Sequence, residues 1–174
     1  SVAEIEDLVK AFADAAVRAK ALGIEAVELH AAHGYLLHQF LSPLANQRTD
    51  AYGGDFEGRV RFPLAVIAAV RAVFDGPLGF RISATDWVEG GWSPEDTIEF
   101  CKRARALGAD FAHISTAGVS PLQKIPAAPG FQLPFAQMVK AATGMPTIGV
   151  GLITEASMAE AAVADGLVDL VAVA

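Results

Sequence analysis

Apolar residues recur along the chain with two different spacings, and the switches between them mark out the elements. Ile5, Leu8, Val9, Phe12 and Ala16 follow a helical stripe. Ser1, with Glu4 three residues on, makes a capping-box start to that helix, and Gly23 supplies its stop. The short apolar run IEAVELH then predicts a buried strand, and the polar stretch SPLANQRTDAYGGDFEG reads as a long loop. A helix is predicted from Arg59 to Phe74, followed by a strand in PLGFRIS and a loop holding both tryptophans. SPEDTIEFCKRARALG is a second capped helix with Pro94 in its first turn. The strand FAHIST, a proline-broken loop, a short helix over 134–142, the strand PTIGVG, a helix over 154–164 and the strand LVDLVAVA complete the chain.

Five strands thus alternate with five helices, the pattern of a parallel sheet. Side chains alternate across a strand, so each strand has two faces to compare. Val27 and Leu29 oppose Ala26, Glu28 and His30, and Leu78, Phe80 and Ile82 oppose Gly79, Arg81 and Ser83. Ile148 and Val150 oppose Thr147, Gly149 and Gly151. Each strand is therefore expected to turn its apolar face to the helices and its small or polar face inward. An open sheet covered on both sides would be apolar on both faces, whereas a polar face running to the strand C-termini suits the mouth of a (β/α)8 TIM barrel. A whole barrel takes roughly 250 residues, and five strands do not close one. The expectation is an α/β chain forming a portion of such a barrel.

Composition narrows the function classes. The net charge is −7 and neither Lys nor Arg forms a run, which argues against nucleic acid or an anionic membrane as partner. Cys101 is the sole cysteine, so there is no internal disulfide framework and a reducing compartment fits; within its helical stretch it is expected to be a packed residue. No apolar run is long enough to span a membrane and no charged-then-apolar leader opens the chain, so a cytoplasmic protein is expected. The chain opens on Ser1 rather than Met and stops on strand-like residues, which leads to the expectation of a piece of a longer protein.

The chemistry concentrates in HAAHGYLLHQFLS, residues 30–42. His30 ends its strand on the inward face, at the C-terminal rim where barrel enzymes work. His33 joins the same pocket if the chain turns there, which Gly34 assists, and Tyr35 then stands by as a neutral proton donor. A zinc site of His30, His33 and His38 needs a further ligand such as Glu28, and the helical HExxH spacing is absent. Packed or solvated loop histidines are the third reading, which suits His38 best. Arg81, inward between Gly79 and Ser83, needs an anion or carbonyl-rich ligand, or an internal bridge to Glu28. GVGLIT, residues 149–154, sets glycines at a strand end before a helix begun by Thr154, an arrangement that offers amides to a phosphate. Together these features suggest a phosphorylated cofactor lying across a barrel mouth.

The runs VELHAAHGYLLHQFLSPLANQRTDAYGG, RVRFPLAVIAAVR, PLGFRISATDWVEGGW and TIGVGLIT resemble the Old Yellow Enzyme family of FMN-dependent ene-reductases over the whole of residues 1–174. The His-Ala-Ala-His form is similar to the family's bacterial branch. The resemblance implies that His30 and His33 hydrogen-bond the oxygen of an activated alkene (an enone, enal, maleimide or nitroalkene) and that hydride passes from N5 of reduced FMN to the β-carbon. It implies that Tyr35 protonates the α-carbon and that Arg81 lies against the flavin N1/O2 edge. Gly149, Val150 and Gly151 would hold the FMN phosphate, no metal is implied, and NAD(P)H would reduce the flavin from the same pocket by ping-pong kinetics. The expected partners are the alkene, NAD(P)H and, in the full-length protein, further copies of the chain.

The chain departs from the family pattern at Gly58, Asp55 and His113, the last at a position that is often Asp. The resemblance places residues 1–174 as the C-terminal portion, fourth to eighth strands, of one FMN-binding domain, with three strands expected before Ser1 and a glycine–arginine pair after Ala174. Relatives acting on dienoyl-thioesters or amines would need a downstream iron–sulfur cysteine cluster, which this stretch does not contain. Two readings of a different class also fit the residues: a non-catalytic barrel piece that pairs with a partner segment, and a metal-dependent barrel hydrolase.

Overall fold

The computed structural model describes residues 1–173. Helix α1 (Val2–Ala21) opens with the expected capping box, in which Ser1 Oγ accepts from the Glu4 amide while the Glu4 carboxylate reaches back to the Ser1 ammonium. Strand β1 (Val27–Ala31), helices α2 (Leu36–Leu41) and α3 (Phe56–Arg71) and strand β2 (Leu78–Ser83) follow. Next come α4 (Pro94–Ala106), β3 (Phe111–Ser115), α5 (Leu133–Thr143), β4 (Thr147–Gly149), α6 (Ala156–Ala164) and β5 (Leu170–Val171). The extra helix is α2, whose Leu37, His38 and Leu41 are buried. Six residues are too few for a helical period to declare itself in sequence. Helix α3 starts ahead of Arg59 because Asp55 caps it, its Oδ1 accepting from the Gly58 amide at 2.9 Å.

All the strand pairs are parallel and the order is β1-β2-β3-β4-β5. A doubly wound sheet reverses its strand order at a switch point, whereas a barrel keeps its strands in chain order. The observed order is the barrel's. Leu78, Phe80, Ile82, Ala112 and Ile114 on the strands join Phe62, Val66, Ile67, Phe100, Ala104, Ala136 and Val139 on α3, α4 and α5 in one buried cluster. Phe80 meets Phe100 edge-on with ring centroids 5.4 Å apart. Cys101 is fully buried in this layer, and burial pushes its thiol pKa up, so it is a packed residue.

Register carries His30, Arg81, His113, Ile148 and Leu170 along one row across the sheet. The next row is Ala31, Ile82, Ile114, Gly149 and Val171. The expected facing of β4 is therefore corrected: Ile148 lies on the polar face, and Thr147 and Gly149 turn to the helices. The cause is space, because a Cβ on Gly149 would sit 2.6 Å from Leu133 Cδ2 and 2.8 Å from Val168 Cγ1. No helix among the described residues is long and apolar enough to cross a membrane.

Candidate active site

Among the described residues, non-glycine positions with positive φ are His33, Trp87, Ala117 and Leu152. Each lies in the segment just past the C-terminal end of one of β1 to β4. Left-handed backbone disfavours an L side chain, and such strain collects where a site imposes it. The C-terminal rim of the sheet is thus marked out by geometry as well as by residue type.

The turn after β1 brings the sequence candidates together. His33 at φ 58 and Gly34 at φ 77 reverse the chain, so His30 and His33 lie edge to face with centroids 5.3 Å apart. The Tyr35 ring is 4.8 Å from that of His30 and is 61% exposed. Every amide of the turn is used: His33 N–H donates to Ser83 Oγ at 3.1 Å, Gly34 N–H to His38 Nδ1 at 2.9 Å, and Tyr35 N–H to the Ala32 carbonyl at 3.2 Å. Ser83 passes its own hydrogen to the Ala117 carbonyl at 2.7 Å, which binds the turn to the segment after β3. Gly118 lies so close there that a Cβ on it would strike the His33 backbone.

Burial lowers the pKa of His33 to about 4, with Arg81 and His30 adding repulsion. Burial, then Arg81, also lowers His30. Both rings are neutral near pH 7 and serve as N–H donors. His30 Nδ1 accepts from the Ala32 amide at 3.3 Å, so its proton sits on Nε2. Ser115 Oγ donates to Gln132 Oε1 at 3.2 Å, as does Thr116 Oγ1 at 2.7 Å. His33 Nε2, 2.7 Å from Ser115 Oγ, is then the donor of that pair.

Arg81 forms no ion pair with Glu28, whose carboxylate instead takes His113 Nδ1 at 3.0 Å. Arg81 Nε and His113 Nε2 are buried without partners among the described residues, side by side on the inward row. On the far side of the rim, Gly151 has φ 119 and Glu155, not Thr154, stands as N-cap of α6 and gives no side-chain cap. The first amides of α6 therefore lack the usual side-chain acceptor. His38 is committed at both nitrogens, to Gly34 and to Asp86, so the three histidines do not converge on one point. No cluster of three or more His, Cys, Asp or Glu able to hold a metal occurs among the described residues.

Sequence reasoning missed Asp86, Ser115, Thr116 and Gln132. The only available sign was His38 on the apolar stripe of α2, since a polar residue in such a place needs a buried partner.

A parallel barrel segment with donors gathered at its C-terminal rim is the architecture of a cofactor-binding barrel enzyme. The chain belongs to the NADH:flavin oxidoreductase / NADH oxidase family, whose model matches residues 1–174. It is 47% identical over 169 residues to an NADPH dehydrogenase of Geobacillus thermodenitrificans (strain NG80-2), covering 97% of this chain and 49% of that protein. An NADPH dehydrogenase of Bacillus subtilis (strain 168) is 43% identical over 171 residues, 98% of this chain and 50% of its own. The chain thus spans about half the length of these relatives. Among solved structures, a 2-naphthoyl-CoA reductase complex superposes with a TM-score of 0.90 at 34% identity, covering 98% of this chain and 27% of that one. A morphinone reductase in complex with tetrahydroNAD gives 0.79 at 31% identity, with 99% and 46% covered.

The family is FMN-linked, and the residues present fit that group. Arg81 offers an unpartnered buried guanidinium nitrogen on the inward row, suited to the electron-rich edge of a flavin. Val150, Gly151 and the start of α6 offer amides suited to a phosphate. Gly149 is small because α5 packs on it, so its side-chain face is turned away from such a ligand.

Proposed function

We propose that this chain carries the substrate-holding and proton-delivering half of an FMN-dependent ene-reductase that uses NAD(P)H to reduce activated C=C bonds. The observation that carries the reading is the turn that sets His30, His33 and Tyr35 together beside Arg81. FMN, when bound and reduced, supplies the hydride for the β-carbon. His30 donates a hydrogen bond from Nε2–H to the carbonyl or nitro oxygen of the alkene, which withdraws electron density from the β-carbon. His33 reaches the same oxygen when Ser115 turns its hydroxyl hydrogen from Gln132 to His33 Nε2, which leaves the ring proton on Nδ1. Tyr35, exposed beside His30, gives its phenolic proton to the α-carbon. Arg81 holds the cofactor edge that gathers negative charge, and Gly149, Val150 and Gly151 contribute backbone to its phosphate end.

The test is NADPH oxidation by the FMN-loaded protein with 2-cyclohexenone as acceptor, with cyclohexanone measured as product. Tyr35→Phe should slow product formation by about a hundredfold, the usual weight of a general acid. Tight FMN binding with NADPH oxidation but no cyclohexanone would limit the protein to a dehydrogenase and remove the alkene reading.

A further inference from the structure

We propose that Asp86 is a positioning residue for the His33–Tyr35 turn, acting through His38; this rests on the alkene-reducing reading above. His33 and Gly34 are consecutive left-handed residues, a conformation the chain does not hold unaided. Gly34 N–H finds its acceptor in His38 Nδ1, at 2.9 Å. An acceptor at Nδ1 requires the ring proton to be on Nε2, and Nε2 faces Asp86 Oδ1 at 2.9 Å. The other carboxylate oxygen takes Ser42 Oγ–H at 2.6 Å and the Trp92 amide at 2.8 Å. Asp86 is thus surrounded by donors on both oxygens, and a group that only accepts is the one that satisfies all three.

Both side chains of the pair are fully buried. Burial alone would raise the Asp86 carboxyl pKa, but the hydrogen bonds from His38, Ser42 and Trp92 outweigh it and hold it below the ordinary value. The ion is stable there because three donors, His38 Nε2–H, Ser42 Oγ–H and the Trp92 amide, satisfy both its oxygens, and a buried charge costs least when it is fully hydrogen-bonded. The consequence reaches the rim. The end of β2 and the segment after it grip the turn at two points, Ser83 on the His33 amide and Asp86 through His38 on the Gly34 amide. Tyr35 follows directly and is the N-cap of α2. An asparagine at 86 would set an NH2 against the Trp92 amide or, turned round, against His38. The second choice moves the His38 proton to Nδ1 and expels the Gly34 amide.

Substitutions at His38 separate positioning from simple packing. His38→Gln keeps a donor for Asp86 and removes the acceptor for Gly34; His38→Asn keeps that acceptor and leaves Asp86 Oδ1 without its donor. In the FMN-loaded protein, with 2-cyclohexenone as probe, His38→Gln and Asp86→Asn should each lower kcat by about tenfold or more with a smaller change in KM. His38→Asn should recover most of that rate despite a lower melting temperature. Asp86→Asn should cost little further in a Tyr35→Phe background. The opposite order, a fast Gln variant and a slow Asn variant with rate following melting temperature, overturns the proposal.

If Asp86→Asn does not fold, the His38 pair decides. If the FMN-loaded wild type turns over no alkene, the functional reading fails while this one is still decided by 15N NMR. Wild-type His38 should show the Nε2–H tautomer, and the Gly34 amide resonance should move in His38→Gln and stay in His38→Asn. An Nδ1–H tautomer, or an unmoved Gly34 resonance in His38→Gln, overturns it.

Discussion

His33 shows how one burial event sets both chemistry and stability. Its pKa falls from 6.5 to about 4 on folding, so between those values the unfolded chain binds more protons than the folded one. Stability contributed by this residue is therefore complete above 6.5 and is lost as pH falls toward 4. Melting temperatures measured across that window should fall less steeply for His33→Asn than for wild type; parallel curves would place the neutral ring outside the folded state's requirements. Arg81 carries a second expectation. A hydrogen bond to a charged group contributes about 1.5–3 kcal/mol, so Arg81→Met should weaken FMN binding by about tenfold or more. A fluorescence titration gives the answer, and an unchanged Kd would move the flavin edge away from this row. His30, His33, Tyr35 and Arg81 were legible because strand alternation places the first and last of them inward and Gly34 signals the turn. The Glu28–His113 pair, and Ser115 beneath His33, were not, since His33 and Ser115 lie 82 positions apart and meet only through strand register.

At the scale of elements, the rim depends on two connecting segments touching where only glycine fits. Gly118 has φ 103, and a Cβ on it would enter the His33 backbone; Gly23 has φ 76 with open space around it. Gly23→Ala should therefore cost about 1–2 kcal/mol, the strain of a left-handed alanine. Gly118→Ala should cost clearly more in the same urea titration and should also shift the His33 resonances. Equal costs would show that the β3 segment moves aside freely. The long helices and all five strands were readable from caps and periodicity, α4 from its capped start with Pro94 in the first turn, whereas the expected start of α3 falls too late because it does not count Asp55 as the cap. Two features escaped for a shared reason. Helix α2 is one short turn-and-a-half whose apolar pair reads equally well as loop, and β4 alternates large with small only because Leu133 and Val168 fill the space above Gly149. In both places a neighbour distant in sequence decides what a residue is for.

The molecule as a whole is a parallel sheet with two rims. Strands β1 and β5 each have one bonded neighbour among the described residues, and Leu170 on the inward row is 60% exposed. Beside β1, Phe12, Ala15, Ala16 and Ala19 of α1 line a groove with Val27 and Leu29. A closed barrel pairs every edge, and an unpaired parallel strand with apolar flanks is a template for another chain. The Geobacillus relative has about twice the length, 49% of it matched here. Produced alone, these residues should associate through their rims, and light scattering should return a mass above 18.1 kDa that grows with concentration. Co-expression with the unmatched half of that relative should cap the rims and yield a complex of fixed mass that takes up FMN one to one. A monodisperse species of 18.1 kDa that binds FMN by itself would show instead that Arg81 and the α6 amides make a sufficient cradle without further strands. The mass from light scattering and the FMN stoichiometry thus decide together whether the flavin cradle is a property of these residues alone or of a barrel completed around them.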